Sequence, residues 1–145
     1  MIGDLSNAGS MPVLADLMRF TARRQAILAH NIANLDTPGF IQVDASPEQF
    51  QRALRDAVQR RREATGGERG DLPAFETDEV RRLADGSIRL MPGSASGNVL
   101  YHDRNNRDLE RLMQDLSENG LMYRVSADLM RRQTDLLRSA IAQRP

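Results

Sequence analysis

The sequence predicts a mainly α-helical chain in which long N- and C-terminal helices form a coiled-coil-like pair. Two segments, at about residues 12–34 and 106–142, carry apolar side chains at alternating steps of three and four residues. That period is typical of amphipathic helices that pack side by side. The residues between them lack the period, which predicts a loosely structured middle with a short helix and a candidate short strand. We therefore divide the chain into 1–40, 41–104 and 105–145.

The N-terminal helix is predicted to begin at about Pro12, because Ser10 is a suitable N-cap and proline is favoured in a first turn. No Gly or Pro occurs between Pro12 and Pro38, so nothing interrupts the helix. Its apolar seam has two polar interruptions. The seam consists of Leu14, Met18, Thr21, Gln25, Leu28, Ile32 and Leu35.

The C-terminal helix is predicted to run from about Asn106 to Ala142 without a break. Gly120 argues against this, since Gly costs about 1 kcal/mol relative to Ala inside a helix. However, Leu116 and Tyr123 are one heptad apart, so the apolar phase continues across the Gly. A turn would reset that phase, and one continuous helix is therefore favoured.

The two helices differ in length, at about 35 and 55 Å for a rise of 1.5 Å per residue. The longer helix would extend beyond its partner, and its apolar stripe would need another chain to cover it. We therefore predict helix interfaces between copies. The residues predicted there are Leu14, Leu17, Met18, Leu28, Ile32, Leu112, Leu116, Met130, Leu137 and Ile141.

The middle region contains shorter signals. Ser46 is placed to cap a short helix with Pro47 in its first position. This helix is predicted to end near residue 60, where a charged, glycine-rich linker extends to residue 70. Residues 77–84 could form one or two helical turns, and residues 87–91 alternate like a short strand.

Composition excludes several functions. The chain has 145 residues, and its 20 basic and 20 acidic side chains give zero net charge, which disfavours bulk attraction to nucleic acid or anionic lipid. It has no Cys, so a thiolate metal site or thiol nucleophile is absent. No apolar run approaches the roughly 20 residues that span a bilayer. The N-terminus also lacks the pattern of a cleaved secretory signal.

No catalytic, cofactor-binding or metal-binding residue is predicted. The two histidines, His30 and His102, do not form a metal-ligand spacing. Two alternatives to a structural role are kept open. The first is a small helical regulator that binds nucleic acid through clusters such as Arg60–Arg62, and the second is a hydrolase that uses His102 and Asp103.

A distinctive motif follows the first helix, at residues 30–40. Pro38 disfavours helical geometry at Thr37, and Pro-Gly fits the centre of a type II turn. Asn31 and Asn34 are expected to bond to backbone around the last helical turn. The motif is therefore predicted to end the helix and redirect the chain.

This motif, with the C-terminal helix, resembles the axial proteins of the bacterial flagellum, the rod and hook family. The family signature is Asn-x-Ala-Asn-x-x-Thr-Pro-Gly-aromatic after an N-terminal helix. The matching residues are Asn31, Ala33, Asn34, Thr37, Pro38, Gly39 and Phe40. In the C-terminal helix they are Asp108, Leu109, Asn119 and Tyr123. The short length is similar to that of a proximal rod subunit.

The resemblance implies a structural subunit of the basal-body rod that polymerises through its terminal helices and transmits torque. Its implied partners are other rod subunits, basal-body adaptor proteins and the flagellar type III export apparatus, with no nucleic acid and no direct membrane insertion. It implies export without a cleaved signal peptide to the rod in the periplasmic space. It also implies neither catalysis nor a cofactor.

Overall fold

The computed structural model describes residues 9–66, 70–94 and 109–142. Within them, the mainly α fold class is confirmed, with long terminal helices and short strands in the middle. The helices are α1 (Met11–Ala33), α2 (Pro47–Thr65) and α3 (Leu109–Ala142). The strands are β1 (Val43–Asp44), β2 (Phe75–Glu76), β3 (Val80–Arg82), β4 (Ile88–Leu90) and β5 (Gly93–Ser94).

Both terminal helices have the predicted character. α1 follows Ser10 and has Pro12 in its first turn, although the Ser10 side chain makes no capping hydrogen bond. α3 is a single helix of 34 residues that passes through Gly120, which confirms the continuous helix predicted from the apolar phase. The predicted start of α3, together with Asp108, lies outside the described residues.

α1 and α3 pack side by side in opposite directions. Gly9, before α1, lies beside Gln133. Thr21 accepts a hydrogen bond from Asn119, further back along α3. As residue numbers rise along α1, those of the facing residues fall along α3, so the pair is antiparallel.

α2 is longer than predicted. Ser46 caps it as expected, with its hydroxyl accepting from the Gln49 backbone N–H. The predicted linker is wrong for residues 60–65, because the helix continues to Thr65 and ends at Gly66, whose φ is 76°. The reason is tertiary: Arg61 is buried, and its Nη2 donates to the Gly9 carbonyl at 2.6 Å.

Residues 77–84 do not form the predicted helical turns. They belong to a hairpin in which β2 and β3 pair antiparallel, and β3 pairs in turn with β4. The Thr77 backbone N–H donates to the Val80 carbonyl, and the Val80 N–H donates to the Thr77 hydroxyl. These two bonds form the turn between β2 and β3, so the residues on either side of it are in strands and not in helical turns. The strand predicted at residues 87–91 is confirmed as β4, and β1 pairs antiparallel with β5.

The hydrophobic core lies between α1 and the middle region. Phe20 of α1 stacks on Phe50 of α2 with ring centroids 4.1 Å apart. The buried cluster consists of Phe20, Ala45, Phe50, Leu54, Ala57, Leu72, Phe75, Val80 and Ile88. α3 contributes none of these residues, and Leu112 is its one buried hydrophobic residue among those described. α3 therefore packs on α1 beside the core. No described helix combines the length and the hydropathy that crossing a membrane requires.

Candidate functional site

The seam between α1 and α3 contains polar side chains at its centre. Leu112, Asn119 and Ser126 recur every seven residues on α3 and are its buried side chains. The Asn119 Nδ2 donates to the Thr21 carbonyl at 2.9 Å and to the Gln25 Oε1 at 2.7 Å. A buried Asn in a helix seam fixes register, because other alignments leave its amide unpaired. Asn119 therefore fixes how far α3 extends past α1.

The predicted interface residues have different surroundings on the two helices. On α1, Leu14 and Leu28 are buried. On α3, only Leu112 is buried. Those with intermediate burial are Leu17, Met18, Ile32, Leu116, Met130 and Leu137. Ile141 is exposed, as are the motif residues Leu109 and Tyr123. The α1 side of the seam is thus largely covered within the chain, whereas much of α3 is not.

The first residue of the motif connects α1 to β1. Asn31 is buried, and its Nδ2 donates to the Val43 carbonyl at 2.7 Å while its Oδ1 accepts from the Val43 N–H at 3.3 Å. The amide thus pairs with Val43 as a neighbouring strand would. Bonding of Asn31 around the last helical turn was therefore the wrong expectation. Asn34 does bond there, donating to the His30 carbonyl at 2.9 Å.

The rest of the motif forms an exposed turn. The Phe40 N–H donates to the Thr37 carbonyl at 3.2 Å, and Gly39 has a φ of 75°. Pro38 and Gly39 therefore occupy the central positions that a type II turn requires. The Phe40 ring meets His30 edge-on at 5.5 Å. Ala33, Thr37, Pro38 and Gly39 are all exposed.

A partly buried charge cluster joins three elements and was not predicted from the sequence. Arg24 of α1 donates through Nε and Nη2 to Asp44 of β1, at 2.9 and 2.6 Å, and lies 3.7 Å from Asp115 of α3. Burial acts to lower the pKa of Arg24, but its hydrogen bond and attraction to Asp44 raise it overall. Burial raises the pKa of Asp115, against the attraction of Arg24. The cluster orients α1, β1 and α3.

The cluster lies beside a cavity of about 390 Å³ between α1, α3 and the start of α2. Arg24, Asp44, Asp115, Asn31 and Asn119 all line it. In the described parts of the chain, no group of three or more His, Asp or Glu side chains is arranged to hold a metal ion. The geometry of these residues is that of a junction between structural elements.

Asn31→Ala is expected to lower the free energy of unfolding by about 1–3 kcal/mol, because it leaves both backbone groups of Val43 without their partner. Urea denaturation followed by circular dichroism measures this change. Asn34→Ala is the matched control, since Asn34 bonds at an exposed position, and its loss should stay below about 1 kcal/mol. Equal losses for the two variants would contradict the role assigned to Asn31.

Comparison with known proteins supports the resemblance. A family model described as "Flagella basal body rod protein" matches residues 18–40, which include most of α1 and the whole motif. The flagellar basal body rod protein FlgB of Salmonella typhimurium strain LT2 is 29% identical over 115 residues, covering 79% of this chain and 80% of the relative. FlgB of Escherichia coli K12 is 29% identical over 111 residues, 77% of each chain.

In fold, motif and sequence the chain is similar to structural proteins of the flagellar basal-body rod. Among those proteins, the relatives it resembles are FlgB subunits. The comparisons give no support to the alternative of a nucleic-acid-binding regulator. His102 and Asp103, on which the hydrolase alternative depended, lie outside the described residues.

Proposed function

We propose that the chain is a proximal rod subunit that polymerises through α1 and α3 and transmits torque. The observation that carries the proposal is the unequal length of the antiparallel pair. At 1.5 Å per residue, α1 spans about 35 Å and α3 about 51 Å. Since Gln133 lies beside Gly9, the last turns of α3 extend past the start of α1. We call residues 134–142 the α3 extension.

Exposed apolar side chains are concentrated on α3. In the described part of the chain, nine of the eleven exposed large hydrophobic residues belong to this helix. Two of them, Leu136 and Ile141, lie in the α3 extension. Single exposed apolar residues are common, but such a concentration on one element marks an interaction surface. A helix that must pack against neighbouring subunits would have this property.

The three segments are proposed to have separate roles. Residues 1–40 and 105–145 supply the axial helices, and the middle, 41–104, holds α1 in a fixed orientation. The support is the set of buried contacts between α1 and the middle. These are Phe20 with Phe50, Asp16 with Arg82, Arg24 with Asp44, and Asn31 with Val43. A rigid connection of this kind suits a subunit under torsional load.

The proposal includes the location and partners that rod proteins imply. The subunit lies in the periplasmic part of the basal body, contacts other rod subunits and basal-body adaptor proteins, and has no enzymatic activity. It is exported by the flagellar type III apparatus without a cleaved signal peptide. The motif residues, including Asp108, Leu109 and Tyr123, are proposed to serve assembly, because several of them are exposed on the turn and on α3.

Swimming in a strain that lacks this gene tests the proposal. The full chain is expected to restore swimming, whereas a chain that ends at Met130 should not, because it lacks the α3 extension. The core and the Asn119 contacts remain in the shortened chain, so it should accumulate to a similar level in immunoblots. Normal swimming with the shortened chain at that level would contradict the proposal.

A further inference from the structure

A second apolar line runs along α3, on a different side from the predicted stripe. Leu121, Val125, Leu129 and Leu136 follow one another at steps of four, four and seven residues. Their side chains are 62%, 46%, 46% and 67% exposed. At 3.6 residues per turn, they lie roughly 115° around the helix from the buried seam. We call these four residues the α3 ridge, and α1 does not cover it.

An open apolar groove lies between α1 and α2. Its volume is about 600 Å³. The apolar residues that line it are Val13 and Leu17 of α1, Leu54 and Val58 of α2, and Met122 of α3. Arg55, Asp56 and Arg62 also line the groove and are exposed on α2, giving it an excess of one positive charge among these three. We call this feature the α1–α2 groove.

Two charges beside the groove match two beside the ridge in spacing and are opposite in sign. The ridge also carries the exposed Arg132, between Leu129 and Leu136. Arg55 and Arg62 are seven residues apart, which places them about 10.5 Å apart along α2. Asp128 and Asp135 flank the ridge, are exposed, and are also seven residues apart on α3. Of these, Asp135 has a contact of 3.6 Å with the exposed Arg138, which is weak in solvent. Two Arg–Asp pairs can therefore form at once.

We propose that the α3 ridge of one copy docks in the α1–α2 groove of a second copy, with Asp128 and Asp135 facing Arg55 and Arg62. The inference rests on the proposed function and names the surfaces that would join two copies. Because ridge and groove are different surfaces, each copy offers one of each to its neighbours. Such a head-to-tail contact adds further copies in a ring or a helical array instead of closing a dimer.

Cysteine cross-linking tests this contact, since the chain has no cysteine of its own. Val58 lies between the two arginines and Leu129 between the two aspartates, so they approach each other whichever direction the helices take. A mixture of purified Val58→Cys and Leu129→Cys chains is oxidised at high concentration. We expect severalfold more mixed dimer than with Met113→Cys, an equally exposed residue on another side of α3.

Charge exchange provides the second measurement. The double variant Arg55→Asp/Arg62→Asp should lower the Val58–Leu129 cross-link severalfold. Introducing Asp128→Arg/Asp135→Arg in the other chain should restore it. The control, Arg52→Asp/Arg60→Asp, makes the same charge change at two α2 residues that do not line the groove, and it should leave the yield unchanged. Equal yields for Leu129→Cys and Met113→Cys, or no recovery on exchange, would overturn the proposal.

The outcome separates this contact from the rod function. Cells that swim with the Val58→Cys and Leu129→Cys chains but give no mixed dimer would overturn the ridge contact and leave the rod function standing. A charge-dependent cross-link in a chain whose gene does not restore swimming would support the ridge contact and contradict the rod function.

Discussion

Replacing Asp16 with Ala is expected to lower the free energy of unfolding by about 3–5 kcal/mol. Asp16 is completely buried, and its carboxylate accepts from the Arg19 Nη1 at 2.9 Å and from the Arg82 Nε. Arg82 is also buried, and its Nη1 donates to the Leu72 carbonyl at 2.7 Å. Without the carboxylate, the Arg82 charge stays inside the protein without its partner. Urea denaturation of the purified variant measures the change.

Two further variants show whether the loss comes from the unpaired charge. Asp135→Ala breaks the exposed pair with Arg138 and should cost no more than about 1 kcal/mol. The double variant Asp16→Leu/Arg82→Met removes both charges and should recover part of the stability lost in Asp16→Ala. A loss below about 1 kcal/mol for Asp16→Ala would show that the pair does not hold β3 against α1.

Leu136→Ser combined with Ile141→Ser is expected to abolish swimming without destabilising the chain. Both side chains are exposed on the α3 extension, so their removal should change the free energy of unfolding by less than about 0.5 kcal/mol. The loss would instead come from apolar surface that no longer packs against a neighbouring subunit. Swimming in soft agar, with denaturation of the purified variant, separates the two effects.

The matched control is Ile41→Ser combined with Met91→Ser. These are the two exposed large hydrophobic residues that lie outside α3 among the described residues. Cells with this double variant should swim normally. Equal loss of swimming in the two double variants would mean that assembly does not depend specifically on the α3 extension.

The helices were predictable because local patterns determine them. The three-and-four spacing on α1 and α3 survives Gly120, and Ser46 with Pro47 marks the start of α2. The turn at Thr37–Phe40 follows from the conformations that Pro38 and Gly39 adopt. The identity of the motif also indicated the rod family, which the comparisons support.

The remaining features depend on contacts between residues far apart in the sequence. Asp16 and Arg82 are separated by 66 residues, and nothing near either one identifies its partner. Arg61 was predicted to lie in a charged linker, because its contact with Gly9 is not visible in the sequence. Similarly, Asn31 bonds to Val43 across 12 residues instead of within its own helix.

The α3 ridge was missed for a different reason. Its spacing also fits a helix, but the seam through Leu116, Tyr123 and Met130 explained the periodicity of α3 on its own. Their position on another side follows from the helix period, but only the structure shows that Leu121 and Leu136 are exposed. A helix with apolar residues on two sides is the signal that could have indicated a second interface.

The most direct test of the central claim is the content of this chain in purified basal bodies. Basal bodies from cells that swim with the full chain should contain it, and those from cells with Leu136→Ser/Ile141→Ser should not. Immunoblots of whole cells establish that both chains are made in equal amounts. Basal bodies that lack the full chain, although the cells swim, would contradict its proposed role as a rod subunit.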